Sequence, residues 1–181
     1  MSKEELIRRT KHVRRVEKAS CSAAFTGVAV IFNWVLYKDE KFSNPKLLQY
    51  NQEVFNTYKS IDNGEVYIED LQCTLFNKAG WKVEYEPYTE KDIKAKPGTY
   101  DYQCEKKIMN SNNAINTQST QYLCVAFNVL MLMGYGKHRL TRVKDKVVEM
   151  FNRYSGDDRE SVMELHKKLF NEAGVYVQMP D

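Results

Sequence analysis

Leu123-Cys-Val-Ala-Phe-Asn128 has a partner in Val28-Ala-Val-Ile-Phe-Asn33, 95 residues earlier when counted from Phe32 to Phe127. Two further Phe-Asn pairs follow in each half, at Phe55 and Phe76 and then at Phe151 and Phe170, so that six of the eight phenylalanines precede an asparagine. The third pair of each half opens a matching close: Leu75-Phe-Asn-Lys-Ala-Gly-Trp-Lys-Val83 against Leu169-Phe-Asn-Glu-Ala-Gly-Val-Tyr-Val177. Self-similarity at a fixed offset is the signature of an internal duplication. Each repeat spans roughly 60 residues, a size at which a lone core is marginal, so the two are expected to pack on each other.

Working outward, residues 21–40 carry Phe25, Val28, Phe32 and Val35 at helical core spacing. Phe42-Ser-Asn-Pro45 breaks that helix, and Pro45 suits the first turn of the next, capped by Asn44 or Ser43. This second helix runs to about Tyr58 with Leu47, Val54, Phe55 and Tyr58 inward. A third, from Ile68, ends at Gly80, where a glycine takes the left-handed cap. Trp81–Tyr85 and Val175–Met179 alternate apolar and polar and predict two short strands that pair. Residues 86–101 read as a linker. The polar run Asn110–Gln121 reads as a long loop, with the next helix starting at Ser119 or Thr120.

The expected fold is mainly α with an α+β element. It consists of two tandem pseudo-symmetric three-helix units, each ending in a short strand, behind an N-terminal helix. The boundaries are 1–20 for the basic N-terminal helix, 21–86 for repeat one, 87–118 for linker and polar loop, and 119–181 for repeat two.

Bulk electrostatics decide little at a net charge of +3 over 181 residues. Cys21, Cys73, Cys104 and Cys124 form no C-x-x-C pair, which argues against a disulfide framework or a zinc site; Cys73 and Cys124 sit in apolar helical patterns. The charged first residues predict no signal peptide, and the apolar runs 28–37 and 122–133 are too short to span a bilayer. A cytoplasmic protein without membrane attachment is expected. Phosphate loops, zinc-protease and nucleophile-elbow motifs are absent, and His12, His138 and His166 stand in separate polar segments. His166 reads as a surface histidine. No enzyme, cofactor or metal is expected.

The most distinctive local sequence is Gly134-Tyr-Gly-Lys-His-Arg-Leu-Thr-Arg142. The helix it opens buries Leu140, Val143, Val147, Met150, Phe151 and Tyr154, and sets Arg139, Arg142, Lys146 and Arg153 in a basic stripe, joined by Lys137, His138 and Tyr135. At an offset of 96 the counterparts are Ser43, Lys46, Tyr50 and Thr57. The asymmetry marks this face as the candidate surface for a partner or nucleic acid. Arg8, Lys11 and Arg15 share a second basic face on the N-terminal helix.

The Gly134-Tyr-Gly-Lys-x-Arg-Leu140 opening, with the amphipathic helix, turn and third helix behind it, resembles small proteins of phages and prophages of Gram-positive bacteria. Size and helix richness are similar to the type II anti-CRISPR proteins, the Cas9 inhibitors of such mobile elements. The resemblance covers residues 119–177 and more faintly 24–85. It implies a stoichiometric inhibitor that binds Cas9 or the Cas9–guide RNA complex and blocks DNA engagement or cleavage. The alternatives are a DNA- or RNA-binding regulatory protein of the phage or prophage, or an assembly protein, with a homodimer open in each case.

Overall fold

The computed structural model describes residues 25–155 and 162–177. Their contacts divide them into two units: residues 84–120 (with Phe25) in one, and residues 26–83 with 121–177 in the other. The N-terminal basic helix expected at 1–20, the cap expected at Asp157 or Asp158, and Gln178 and Met179 lie outside the described residues.

The larger unit is organised by two stretches that are buried on every side. Val28 to Asn33 in helix α1 (25–38) form one, and Cys124 to Leu130 in α4 (Tyr100–Leu132) form the other. Their β-branched residues are indifferent helix formers, but a helix apolar all round is one that belongs in a core. The two meet where the Phe32 and Phe127 rings stand edge to face at 5.1 Å. Tyr50 stacks on Phe32, and Tyr122 and Trp81 complete the aromatic cluster.

The asparagine after each of these phenylalanines is buried and hydrogen-bonded. Asn33 donates to Ala29 O at 2.9 Å and exchanges two amide bonds with Asn51. Asn128 donates to Cys124 O at 2.8 Å and to Leu71 O at 3.0 Å. A buried amide left without partners would cost a few kcal/mol, so these bonds fix how α1 and α4 meet their neighbours. The later Phe-Asn pairs do not behave alike: Phe76 and Phe170 are 50% and 53% exposed and Phe55 is also exposed, contrary to the core roles expected of Phe55 and Phe170. Each ring is turned about 100° round its helix from the residue before it, and it is these, Val54, Leu75 and Leu169, that fill the core.

Four amphipathic helices surround the centre. Helices α2 (Asn44–Asp62) and α5 (Lys137–Ser155) are each 19 residues long; α3 (Ile68–Ala79) and α6 (Val162–Ala173) are each 12. The starts of α2 and α5 lie 93 residues apart, and at that offset the buried Leu47, Tyr50 and Val54 of α2 correspond to the buried Leu140, Val143 and Val147 of α5. These buried positions correspond at 93, where the reading of the basic stripe used 96. Neither expected cap forms at α2: Ser43 makes no side-chain bond there, and Asn44 donates to Ala173 O at 2.5 Å.

Helices α3 and α6 both end on a left-handed glycine. Gly80 (φ +81°) and Gly174 (φ +65°) each donate to the carbonyl four residues back, at 2.8 Å. The chain then runs extended with alternating burial, as its pattern predicts, yet no strand forms among the described residues. The reason is local. Gln72 holds Val83 at both its N–H and its C=O, and His166 Nε2 accepts the Val177 N–H at 3.3 Å, so side chains of the preceding helix take the place of a strand partner. His166 is accordingly a half-buried clamp stacked on Tyr176, not a free surface residue.

In the unit of residues 84–120, residues 86–99 are irregular apart from the short 3-10 turn Glu90–Asp92, but the expected polar loop is replaced by the first part of α4, which is helical from Tyr100. Asparagine, serine and threonine usually compete with a helix by bonding its backbone. Here Asn113 turns outward and bonds both backbone groups of Tyr88, Tyr85 bonds Asn113 O and Thr117, and Glu105 accepts the N–H groups of Lys94 and Ala95. Residues 85–95 are thereby fastened along the helix.

Candidate functional site

The start of α5 is built on a turn that demands glycine. Helix α4 ends at Leu132, Gly134 takes φ +85°, and Tyr135 N–H closes the turn onto Leu130 O at 2.9 Å. That geometry drives Tyr135 inward, against Phe42. Its hydroxyl donates to Glu40 Oε2 at 3.0 Å.

Glu40 is the centre of the cluster. Its side chain is 1% exposed, and it holds two of the cations expected to face a partner. Arg139 Nη2 lies 3.1 Å from Glu40 Oε2 and donates to the Tyr135 hydroxyl at 2.9 Å, its guanidinium 3.9 Å over the tyrosine ring. Arg142 engages Oε1 through Nε at 2.8 Å and Nη2 at 2.7 Å. Burial works to raise the Glu40 pKa, but the bonds from Arg142, Tyr135 and Arg139 outweigh it and hold the carboxyl below its ordinary range. Burial first, and then the bond to Glu40, push the Tyr135 phenol up.

The other predicted site residues take separate places. Lys137 lies over the Gly80 cap of α3, with Nζ 3.1 Å from where a Cβ on that glycine would stand. Lys146 pairs with Glu149 at 2.8 Å, a bond that raises the lysine pKa and lowers the glutamate's. His138 and Arg153 are exposed. Arg8, Lys11 and Arg15 lie outside the described residues. The structure thus brings Tyr135, Arg139 and Arg142 together, but around an internal carboxylate: Tyr135 is not available as a surface contact, and the stripe is not a row of free charges. A shallow hollow of about 600 Å³ runs beside it, lined by His138, Thr141, Arg142, Asp145, Lys146 and Glu149 together with Lys137.

Comparison of the chain with protein-family models, curated proteins and solved structures finds no match. The chemistry of the site therefore has to be read from its own groups. The hollow offers cations, carboxylates and a hydroxyl on one helix face, a set suited to reversible polar contacts with another macromolecule. Among the described residues no three histidine, cysteine or acidic side chains converge as a metal site would require, and no helix is long and apolar enough to cross a membrane. Sequence reasoning missed Glu40 and the acidic pair Asp145 and Glu149. The first stands in a charged turn, Asp39-Glu40-Lys41, with no local signal of its burial.

Proposed function

We propose that the chain is an internally duplicated three-helix module that acts, without catalysis, as a binding protein of a phage or prophage. The duplication is supported by the matching burial of α2 and α5 at an offset of 93, by the paired glycine caps 94 residues apart, and by reciprocal contacts. Asn44 at the start of α2 lies against Gly174 behind α6, and Lys137 at the start of α5 lies against Gly80 behind α3. Contacts that exchange between the halves are those of an isologous dimer whose two copies share one chain.

The target we favour is Cas9 or the Cas9–guide RNA complex in the bacterial cytoplasm, inhibited stoichiometrically by occlusion. The observation that carries a protein or ribonucleoprotein target over naked nucleic acid is the charge state of the α5 face. Glu40 and Glu149 are set against the cations of the stripe, leaving a mixed-charge surface. A phosphate-tracking surface needs free cations. The regulatory alternative draws on the 48% and 59% of the Arg139 and Arg142 side chains that stay exposed.

Purified protein should be titrated against Cas9 with and without guide RNA, and against duplex DNA, with cleavage followed in parallel. Binding to Cas9 or its complex together with lost cleavage is the expected result. Binding to DNA alone, falling steeply with salt and leaving cleavage intact, would replace this reading with the regulatory one.

A further inference from the structure

The outermost ridge of α5 carries an order of charge that its internal bonds, Arg142 to Glu40 and Glu149 to Lys146, use only in part. His138, Arg142, Asp145 and Glu149 are spaced four, three and four residues apart. They stay within about 60° of one another round the helix, opposite the buried Val143, Val147 and Met150. All four are exposed, and the Arg142 side chain keeps 59% of its surface despite its bond to Glu40. From the N-terminal end the ridge runs from basic to acidic: Lys137 beside the imidazole of His138 with no acid in the first turn, then Arg142, then Asp145 and Glu149.

We infer that this ridge is a self-association surface, on which α5 of a second copy of the chain lies antiparallel. A twofold axis between Val143 and Lys144 places Arg142 opposite Asp145 of the second copy, and His138 opposite Glu149. The same operation repeats both pairs, so one ridge about 16 Å long makes four matched contacts. Antiparallel macrodipoles add to the match, while a parallel arrangement sets like charges on like. The hollow of about 600 Å³ over these side chains leaves room for the facing ones.

An internal comparison points the same way, and it alone rests on the duplication proposed above. At the 93-residue register the α2 ridge reads Pro45, Gln49, Gln52 and Asn56, with Gln52 bonded to Asn56 and no charge on it. The scaffold tolerates a neutral ridge, so the part of the α5 charge order that Glu40 and Lys146 do not engage answers to something outside the module. Each exposed pair is weak alone, and the association is reversible and sensitive to salt.

The full chain is tested by sedimentation equilibrium up to about 0.5 mM, a range that reaches weak dimers. The wild type is expected as a monomer–dimer mixture whose association weakens at least tenfold between low salt and about 0.5 M salt. Asp145→Lys with Glu149→Lys makes the ridge wholly cationic and should be monomeric with an unchanged circular dichroism spectrum. Mixed with a His138→Glu, Thr141→Glu variant, it should form a heterodimer. A wild type monomeric throughout, a double-lysine variant that still dimerises with wild-type affinity, or a mixture that stays monomeric would each overturn the inference. None of these outcomes depends on whether Cas9 is bound.

Discussion

At the scale of single residues, the decisive group is Glu40. It stands in the charged turn Asp39-Glu40-Lys41, where nothing in the local pattern announces burial, and only three-dimensional proximity reveals that it neutralises Arg139 and Arg142. Glu40→Gln removes the charge and leaves two guanidiniums facing a neutral amide. A loss of about 2 kcal/mol is expected, below the roughly 3–5 kcal/mol of a fully buried broken pair because both arginines keep access to water. The pH dependence has a definite sign. The folded-state pKa lies below the ordinary 4.5, so the contribution is fully present above that value and drains away as pH falls through the folded pKa. Chemical denaturation at pH 7 and below pH 4.5 should show the wild type losing its advantage over Glu40→Gln in acid. Equal gaps at the two pH values would refute the role. His166 gives a second test. Its Nε2 accepts the Val177 N–H and so carries no proton, and burial lowers its pKa from 6.5. Stability from this clamp is present above pH 6.5 and lost as pH falls through the lowered value. His166→Gln copies the residue at position 72, which holds Val83 in the same way. Thermal midpoints of wild type and variant should converge above neutrality and separate below pH 6, with the variant the more stable.

At the scale of elements, what was legible follows from periodicity, and what was not follows from contacts made at a distance. The inward positions of α5 and the glycine ends of α3 and α6 can be read because burial and left-handed backbone leave local marks. The alternation after Gly80 and Gly174 was also legible. Its partner was not, since Gln72 and His166 supply by side chain what a strand would supply by backbone. The first part of α4 was illegible because Asn113 and Thr117 count against a helix until Tyr85 and Tyr88 are known to lie beside them. Substitution separates backbone strain from packing at two glycines. Gly64→Ala meets nothing within 4 Å and bears only the cost of its φ of +72°, about 1 kcal/mol. Gly174→Ala has a similar φ, and its new Cβ would stand 2.6 Å from Asn44 Nδ2, displacing the bond to Ala173 O. About 1 kcal/mol more is expected by urea denaturation. Equal losses at the two glycines would show that the Asn44 contact contributes nothing.

At the scale of the whole molecule, the sequence offset announces two modules but not their mutual dependence. Under the proposed duplication each half lays a side chain over a glycine helix end of the other, and their aromatic centres are one cluster around Phe32 and Phe127. The unit formed by residues 26–83 and 121–177 should therefore unfold as one, since neither half keeps a core when the other opens. Both tryptophans, Trp34 and Trp81, belong to the first half, whereas Leu169 lies fully buried in the second. Leu169→Ala leaves a cavity there and should cost about 3 kcal/mol. If the halves are coupled, tryptophan fluorescence shifts its urea midpoint by the same amount as far-ultraviolet circular dichroism, although the substitution lies in the other half. A fluorescence transition that stays at its wild-type position while circular dichroism splits in two would mean independent modules. The reciprocal contacts of Asn44 and Lys137 would then be incidental to stability, and the register of 93 would record ancestry without present cooperation.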